Sequence, residues 1–425
     1  MRGAVDTILC MADRGDVSSG ERVRLTDRIS IGVLTRVVPR DLVEEVVAYT
    51  RRKEKRSRLL PAHVVVYYVL ALALFFGEAY EEVMRRLVGG MQFLKNWENT
   101  WKVPTTSAIS QARARLGAAP LEELFHRVAV PLARPGTRGA WCRSWRVMAI
   151  DGVVLDVPDT PENNAEFTHS TGGKGESAFP TVRVVGLAEC GTHAIVSAAL
   201  GTWTTGEQTL VPDLLADLEP DMLVLADRGF YSYKLFHAIT DTGAAVVFRA
   251  TSKLVLPVLE VYPDGSYRSV ILDSATSSAV RKRAKRAGEG AHDVLIAAGT
   301  PCRVIEYMIP NRGDDNETFC LITSILDWEQ APSYELAALY HERWEFELTL
   351  DEIEIHQLGH GRVLRSKSPE MIKQEIWGIL IAHYTIRHLM HEAADTADID
   401  PDRLSFIRSL RIIRRHIGQA DFPPS

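Results

Sequence analysis

A change of hydrophobic period at residues 131–139, a stretch containing Pro and Gly, constrains this chain more than any other feature. Before it, apolar residues recur at helical spacing from residue 29 to 132: in Asp41-Leu-Val-Glu-Glu-Val-Val-Ala-Tyr, in the run after Pro61, and in residues 80–87, closed by Gly89 and Gly90. After it come short β-rich runs at 145–157, 181–187, 193–202, 222–226 and 244–248, with helical segments at 208–218 and 232–240 between the later ones. A helical region, then strands, then strands alternating with helices implies an α/β or α+β fold with a mixed sheet. Residues 251–326 add short strands (253–261, 266–272, 293–297, 302–308 and 318–324) around one basic helical neighbourhood, and read as a β-rich insertion. Helical spacing resumes at Ser333 and runs through Ile355, then over 369–393, then in an Arg-rich helix after Asp400-Pro401.

A chain of 425 residues is too long for one ordinary core. The expected division is a helical N-terminal domain (1–138), an α/β domain in two parts (139–251 and 327–395) separated by the insertion (252–326), and a basic C-terminal helix (396–425). Hydrophobic residues at 46% and charged residues at 24% exclude a disordered or membrane chain. The most apolar run, 64–76, is shorter than the roughly 20 residues a membrane span needs, and the N-terminus meets acids too early for a signal peptide. Five scattered cysteines with no CxxC pair suggest neither a disulfide framework nor a structural zinc site, which fits a reducing cytoplasm.

A net charge of -6 excludes a surface built wholly to grip nucleic acid, but the cations are clustered at 51–58 (RRKEKRSR), 281–286 (RKRAKR) and 408–416 (RSLRIIRRH). Such patches can track a phosphate backbone, although each alone reads equally as a solvated helix face. Within the helical region, Pro104-Thr-Thr-Ser supplies a hydroxyl cap to a short helix that carries Gln111, Arg113 and Arg115 and ends at Gly117. This helix could enter a DNA groove.

Two acids occupy strand positions. Asp151 interrupts the apolar run Val147-Met-Ala-Ile-Asp-Gly-Val-Val-Leu, and Asp227 ends Met222-Leu-Val-Leu-Ala-Asp. An unpaired buried carboxylate costs several kcal/mol, so each needs a cationic side chain, a metal or a functional role. In the segment 340–354, helical spacing puts Tyr340, Arg343, Glu347, Asp351 and Glu354 on one stripe. Trp344, Leu348 and Ile355 border one edge and Phe346, Leu350 and Ile353 the other, leaving His341, Glu342, Glu345, Thr349 and Glu352 on an opposite face expected to be solvated. Three inward carboxylates make a hard oxygen site suited to Mg²⁺ or Mn²⁺. Two such ions can drive phosphoryl transfer on nucleic acid. Gly172-Gly-Lys-Gly lacks the surroundings of a phosphate loop and reads as a loop beside the active site.

The Ile-Asp-Gly strand at Asp151 with Asp156-Val-Pro-Asp after it, the Ala-Asp-Arg-Gly-Phe-Tyr segment at Asp227, and a helix of pattern Tyr-x2-Arg-x3-Glu together resemble the DDE transposases of the insertion-sequence-four type. The resemblance covers most of the chain. It implies a ribonuclease H-like catalytic domain with a β-rich insertion, two Mg²⁺ (or Mn²⁺) ions held by Asp151, Asp227 and Glu347, and cut-and-paste transposition by nicking and strand transfer. It also implies DNA contacts by Tyr340, Arg343 and Arg249, and as partners double-stranded DNA with terminal inverted repeats, target DNA, and a second copy of the chain in a synaptic homodimer. The family pattern places a Lys where this chain has Glu354. Two other readings use the same residues: a metal-dependent nuclease that does not join strands, and an inactive derivative that binds DNA as a repressor.

Overall fold

The computed structural model describes residues 34–56, 60–89, 103–172, 175–251, 254–308 and 318–416. The N-terminal part is helical: α1 Leu34–Val37, α2 Arg40–Tyr49, α3 Ala62–Leu74, α4 Tyr80–Gly89, α5 Thr106–Leu116 and α6 Ala119–Val128. Helix α3 is apolar on all sides because it is buried on all sides. Helix α5 begins where the Thr105 hydroxyl accepts from the Ala108 N–H, and it stops at Gly117, whose φ of 72° suits a residue without Cβ.

The chain then forms β1 Trp141–Cys142, β2 Trp145–Asp156, α7 Pro161–Phe167, β3 His169–Gly172, β4 Gly175–Glu189, β5 Ala194–Thr202, α8 Glu207–Leu210 with a 3₁₀ extension Val211–Asp217, β6 Met222–Ala226, α9 Tyr233–Thr240 and β7 Ala245–Arg249. Strands β2, β4 and β5 are antiparallel neighbours, while β2, β6 and β7 run parallel, giving the order β5-β4-β2-β6-β7. The mixed sheet expected from the period change is therefore present. Helix α9 follows β6 as the crossover to parallel β7, capped by the Ser232 hydroxyl. Of the glycine-rich segment, Gly172 of β3 pairs with Gly175 of β4; Gly173 and Lys174 lie outside the described residues.

The insertion departs from its sequence reading in two ways. Residues 293–297, expected as a strand, belong to helix α11 Ala291–Ala298, and of the expected strand 253–261 only β8 Glu260–Val261 is formed among the described residues. A short apolar run cannot be assigned from its period alone, and here Leu295 packs with Val270, Leu272 and Ala284 in a small core of its own. The insertion also does not stand apart from the catalytic sheet. Strands β9 Tyr267–Ile271, β10 Thr300–Met308 and β11 Thr318–Thr323 continue it from β7 in the order β7-β11-β10-β9-β8, with the basic helix α10 Ser277–Ala287 between β9 and α11.

The last third supplies α12 Ser333–Tyr340, a 3₁₀ turn His341–Arg343, α13 Trp344–Asp351, a π-helical segment Glu352–Gly359, α14 Pro369–Ala397 and α15 Phe406–His416. Helix α14 is 29 residues long and buried along most of its length. It touches α3 and α6 on one side and β5 on another, so the N-terminal helices and the sheet share one hydrophobic core. Among the described residues no helix is long and apolar enough to cross a membrane.

Candidate active site

Strand register builds the site. Ile150 of β2 lies beside Ala226 of β6, and Ala226 beside Phe248 of β7, all three strands running the same way. The next residue on each is Asp151, Asp227 and Arg249, so two acids and one cation emerge side by side at one edge of the parallel sheet. This is where such sheets place their ligands.

Each acid is oriented by its own backbone. Asp151 Oδ1 accepts from the Gly152 N–H at 2.8 Å, and Asp227 Oδ1 accepts from the Gly229 N–H at 2.7 Å and the Phe230 N–H at 3.3 Å. Gln208 fixes that second turn from outside, donating through Nε2 to the Gly229 carbonyl at 2.6 Å. Helix α13 brings the third acid. Asp151 is paired across β2 and β4 with Gly186, and a Cβ on Gly186 would lie 3.1 Å from the Phe346 ring. The bare backbone lets Phe346 seat α13 directly behind Asp151, which puts Glu347 over the strand edge.

Arg343 joins the acids. Its Nη1 donates to Asp151 Oδ2 at 2.9 Å and its Nη2 to Glu347 Oε1 at 2.9 Å, with 11% of the side chain exposed. Burial pushes the Asp151 carboxyl above its ordinary pKa; Asp227 and Glu347 add to this, and the Gly152 N–H and Arg343 oppose it. One guanidinium thus holds together carboxylates that would otherwise repel. The donor set is three carboxylates, two of them bridged by Arg343, whose Nε is buried without a hydrogen-bond partner among the described residues. Such a set fits hard divalent ions.

Other expected contacts are differently placed. Tyr340 is buried, and its hydroxyl donates to the Ala226 carbonyl at 3.3 Å, just before Asp227. Burial pushes its phenol up to about 12. Tyr340 therefore props the Asp227 strand. Arg113 is 1% exposed and spends its guanidinium on Gln374 Oε1, Tyr80 OH, Ser366 Oγ and the Met371 carbonyl, so it ties α5 to α14 and is not on a DNA-reading face. Gln111 and Arg115, on the other side of α5, are exposed. Arg249 lies 4.1 Å from the Phe319 ring centroid, at the edge it shares with Asp227.

The signature segment is not one α-helix, and its expected solvated face is partly inside, with His341 exposed. Thr349 and Glu352 are buried, and Glu345 accepts from the Gly191 N–H, whereas Trp344, Leu348 and Ile355 are exposed. Glu352 goes inward because α14 supplies partners: His383 Nε2 at 3.0 Å and Arg387 Nε at 2.8 Å, with Arg387 Nη2 also on its second oxygen. A helical wheel cannot register a cation on another helix. Past Asp351 the π winding changes the angular step per residue, so Glu354 leaves the regular stripe and lies among Asp351, Asp156 and His360.

Behind α13, His193 Nε2, Glu345 and Asp402 come within 4.8 Å of one another, which Asp151, Asp227 and Glu347 do not. Arg387 Nη2 donates to His193 Nδ1 at 2.7 Å, so a neutral His193 carries its proton on Nε2, facing Asp402 at 3.2 Å. Burial pushes the Glu345 carboxyl up to about 9, so the arrangement is a polar cluster that joins α13 to the C-terminal segment. The sequence reading also missed Glu207, whose Oε1 lies 3.0 Å from where a Gly152 Cβ would be, directly beside Asp151. No local pattern marks it. Gly186 and Gly152 did carry a signal, being glycines inside apolar strands.

The chain is similar to known transposases. Residues 28–126 match the family described as insertion element 4 transposase N-terminal, and residues 144–385 match the transposase DDE domain. The chain is 28% identical over 376 residues to the transposase InsG for insertion sequence element IS4 of Escherichia coli (strain K12), covering 88% of this chain and 80% of that protein. It is also 28% identical over 208 residues to the putative transposase InsZ of the same organism, covering 48% of this chain and 66% of that one. Among solved structures, the piggyBac transposase synaptic complex with hairpin DNA aligns at a TM-score of 0.47 and 10% identity, over 91% of this chain and 79% of that one. The chain belongs to the DDE transposases of the insertion element 4 type and is an enzyme that acts on DNA and depends on divalent metal.

Proposed function

We propose that this transposase moves its element by cut-and-paste transposition, with Asp151, Asp227 and Glu347 holding two Mg²⁺ or Mn²⁺ ions. The observation that carries this reading is that Arg343 bridges Asp151 and Glu347, while Asp227 follows Ala226, the strand neighbour of Ile150, and bears on the Asp151 charge. When bound, the ions supply an activated water or 3′-hydroxyl and a charge for the leaving oxygen. The residues of the chain do the rest. The backbone N–H groups of Gly152, Gly229 and Phe230 hold Oδ1 of each aspartate, and Oδ2 of Asp151, paired here with Arg343, would ligate once that guanidinium gives way. Arg249 and Arg343 flank the acids and hold the phosphates on either side of the scissile bond. Arg343 reaches a phosphate by giving up one of its two carboxylates.

DNA leaves the catalytic edge toward a cleft of about 390 Å³ between the α2–α3 connection and α5. Arg51, Arg52, Lys53, Lys55, Arg56 and Arg115 line it, with Glu54 the one acid among the lining residues. Such a cluster binds the phosphates of an inverted-repeat duplex, with exposed Gln111 beside it to touch base edges. Two copies of the chain pair the two ends as a homodimer. Purified protein with Mg²⁺ and inverted-repeat DNA should give nicks at the end and then products joined to a target plasmid. Nicks that never proceed to joined products would reduce the activity to that of a nuclease.

A further inference from the structure

The strongest unexplained charge on the molecule is far from the catalytic acids. Helix α10 reads SSAVRKRAKRA, and Arg281, Lys282, Arg283, Lys285 and Arg286 are all exposed, while Ala284 is buried. No ion pair or hydrogen bond to another described residue holds any of the five side chains. The helix itself carries no acid. Asp273, which precedes it, is used as a cap, its carbonyl accepting from the Ser277 N–H and its Oδ1 from the Ala275 N–H; the exposed acids that follow are Glu289 and Asp293.

This charge stands on a rigid base. Ala284 and Val280 pack on Val270, Leu272 and Leu295, and β9 is hydrogen-bonded through β10 and β11 to β7, next to the Asp227 strand. Four strand intervals at about 4.8 Å each put β9 roughly 20 Å from β6, or about six base pairs along a duplex. A solvated surface helix has no need of five cations in six residues without a counter-charge, since their mutual repulsion only weakens it.

We infer that α10 grips the duplex into which the cut end is joined, through its phosphates and irrespective of sequence. This rests on the strand-transfer reading above. The chemistry favours the target over the terminal repeat for a stated reason. Reading base edges takes side chains fixed in place by neighbours, as bidentate arginine pairing demands. The five cations of α10 instead fan around more than half the helix with nothing to orient them. They suit a partner whose sequence varies, for which neutralising phosphate is sufficient.

The test is a full-length protein with all five cations changed to Gln (Arg281→Gln, Lys282→Gln, Arg283→Gln, Lys285→Gln, Arg286→Gln), whose folding is checked by its thermal transition. Three readouts are compared with wild type: nicking of an inverted-repeat duplex, joining of a pre-cleaved end to plasmid, and affinity for an unrelated duplex across salt concentrations. Expected are nicking within about twofold, joining reduced about tenfold or more, and a log-affinity slope against log salt shallower by up to about 4. Unchanged joining with an unchanged slope would overturn the inference. Nicking and joining lost in equal measure would overturn it as well, because α10 would then hold the transposon end. A wild-type protein that nicks but never joins would instead refute the strand-transfer reading on which the inference stands. If the fivefold variant does not fold, Arg281→Gln paired with Lys285→Gln should show the same pattern at smaller size.

Discussion

Arg343 and Asp151 form a 2.9 Å ion pair at the centre of the catalytic edge, and the same guanidinium reaches Glu347 at 2.9 Å. The arginine thereby lies between Asp151 and Glu347, where a cation would otherwise offset their charges. Replacing it with Gln leaves Asp151 and Glu347 facing each other without compensation, a loss on the order of 2 kcal/mol, tempered by the exposure of Glu347. Magnesium restores that charge. The melting temperature of Arg343→Gln without metal should therefore fall below that of wild type, and added Mg²⁺ should raise it by more than it raises wild type. Equal Mg²⁺ shifts in the two proteins would mean that the guanidinium does not stand in the ion's place.

Tyr340 gives a sharper separation between support and contact. Removing its hydroxyl in Tyr340→Phe deletes the bond to the Ala226 carbonyl, at a cost of about 1 kcal/mol. Affinity for inverted-repeat DNA should not change. A fall in DNA affinity at unchanged unfolding midpoint would return Tyr340 to the DNA interface.

Neighbouring arginines on α5 should behave oppositely. Arg113 is enclosed by four hydrogen-bond partners, so Arg113→Ala leaves buried polar groups unpaired and should cost about 3–5 kcal/mol in urea unfolding. Arg115 is exposed in the basic cleft, so Arg115→Ala should leave stability within about 0.5 kcal/mol and reduce the salt slope of DNA binding by about 1. Binding measured against salt and urea melts of both variants decide the matter; identical behaviour would contradict the placement of the two side chains.

Acid sensitivity should arise behind the catalytic helix. Burial lowers the pKa of His383 below its ordinary 6.5, against the opposing pull of Glu352. A histidine neutral in the fold takes up a proton on unfolding, so its contribution to stability is complete above pH 6.5 and declines as the pH falls from there toward the lowered folded value. Glu352 follows at lower pH. Burial would raise its carboxyl, but His383 and Arg387 overcome this and hold it below its ordinary value, so its contribution is lost only as the pH falls through that lowered value. The stability this pair contributes should thus decline below pH 6.5, by at most about 1.4 kcal/mol per pH unit for each proton, and is read as the wild-type melting profile relative to that of His383→Gln. His383→Gln should flatten the upper part of this decline; an unaltered profile would show that His383 is already charged in the fold.

How much of this could be read from the sequence depended on whether the cause was local. Asp151 and Asp227 stood out because a carboxylate within an apolar strand demands explanation wherever it lies, and the three-strand register then set Arg249 beside them. The mixed sheet followed from the period change at residues 131–139. Long-range pairings were invisible. Arg113 looked exposed because its partners Gln374 and Ser366 lie more than 250 positions away, and Glu352 looked solvated because Arg387 is on another helix. The strand expected at 293–297 was lost to α11 because a short apolar run fits either period until its packing surface is known. Glu354 shows a further limit: a π segment starts at Glu352, and nothing in the spacing announced it.

The most direct test of the account is Mg²⁺-dependent nicking of an inverted-repeat duplex by wild type and by Asp151→Asn, Asp227→Asn and Glu347→Gln, with DNA binding measured in parallel. Each variant should lose nicking by a factor of about 10³ or more while binding the duplex within about twofold of wild type, because each removes a ligand for the ions that supply the chemistry. Any one of the three that nicks at the wild-type rate would contradict the assignment of that carboxylate, and with it the shared metal site.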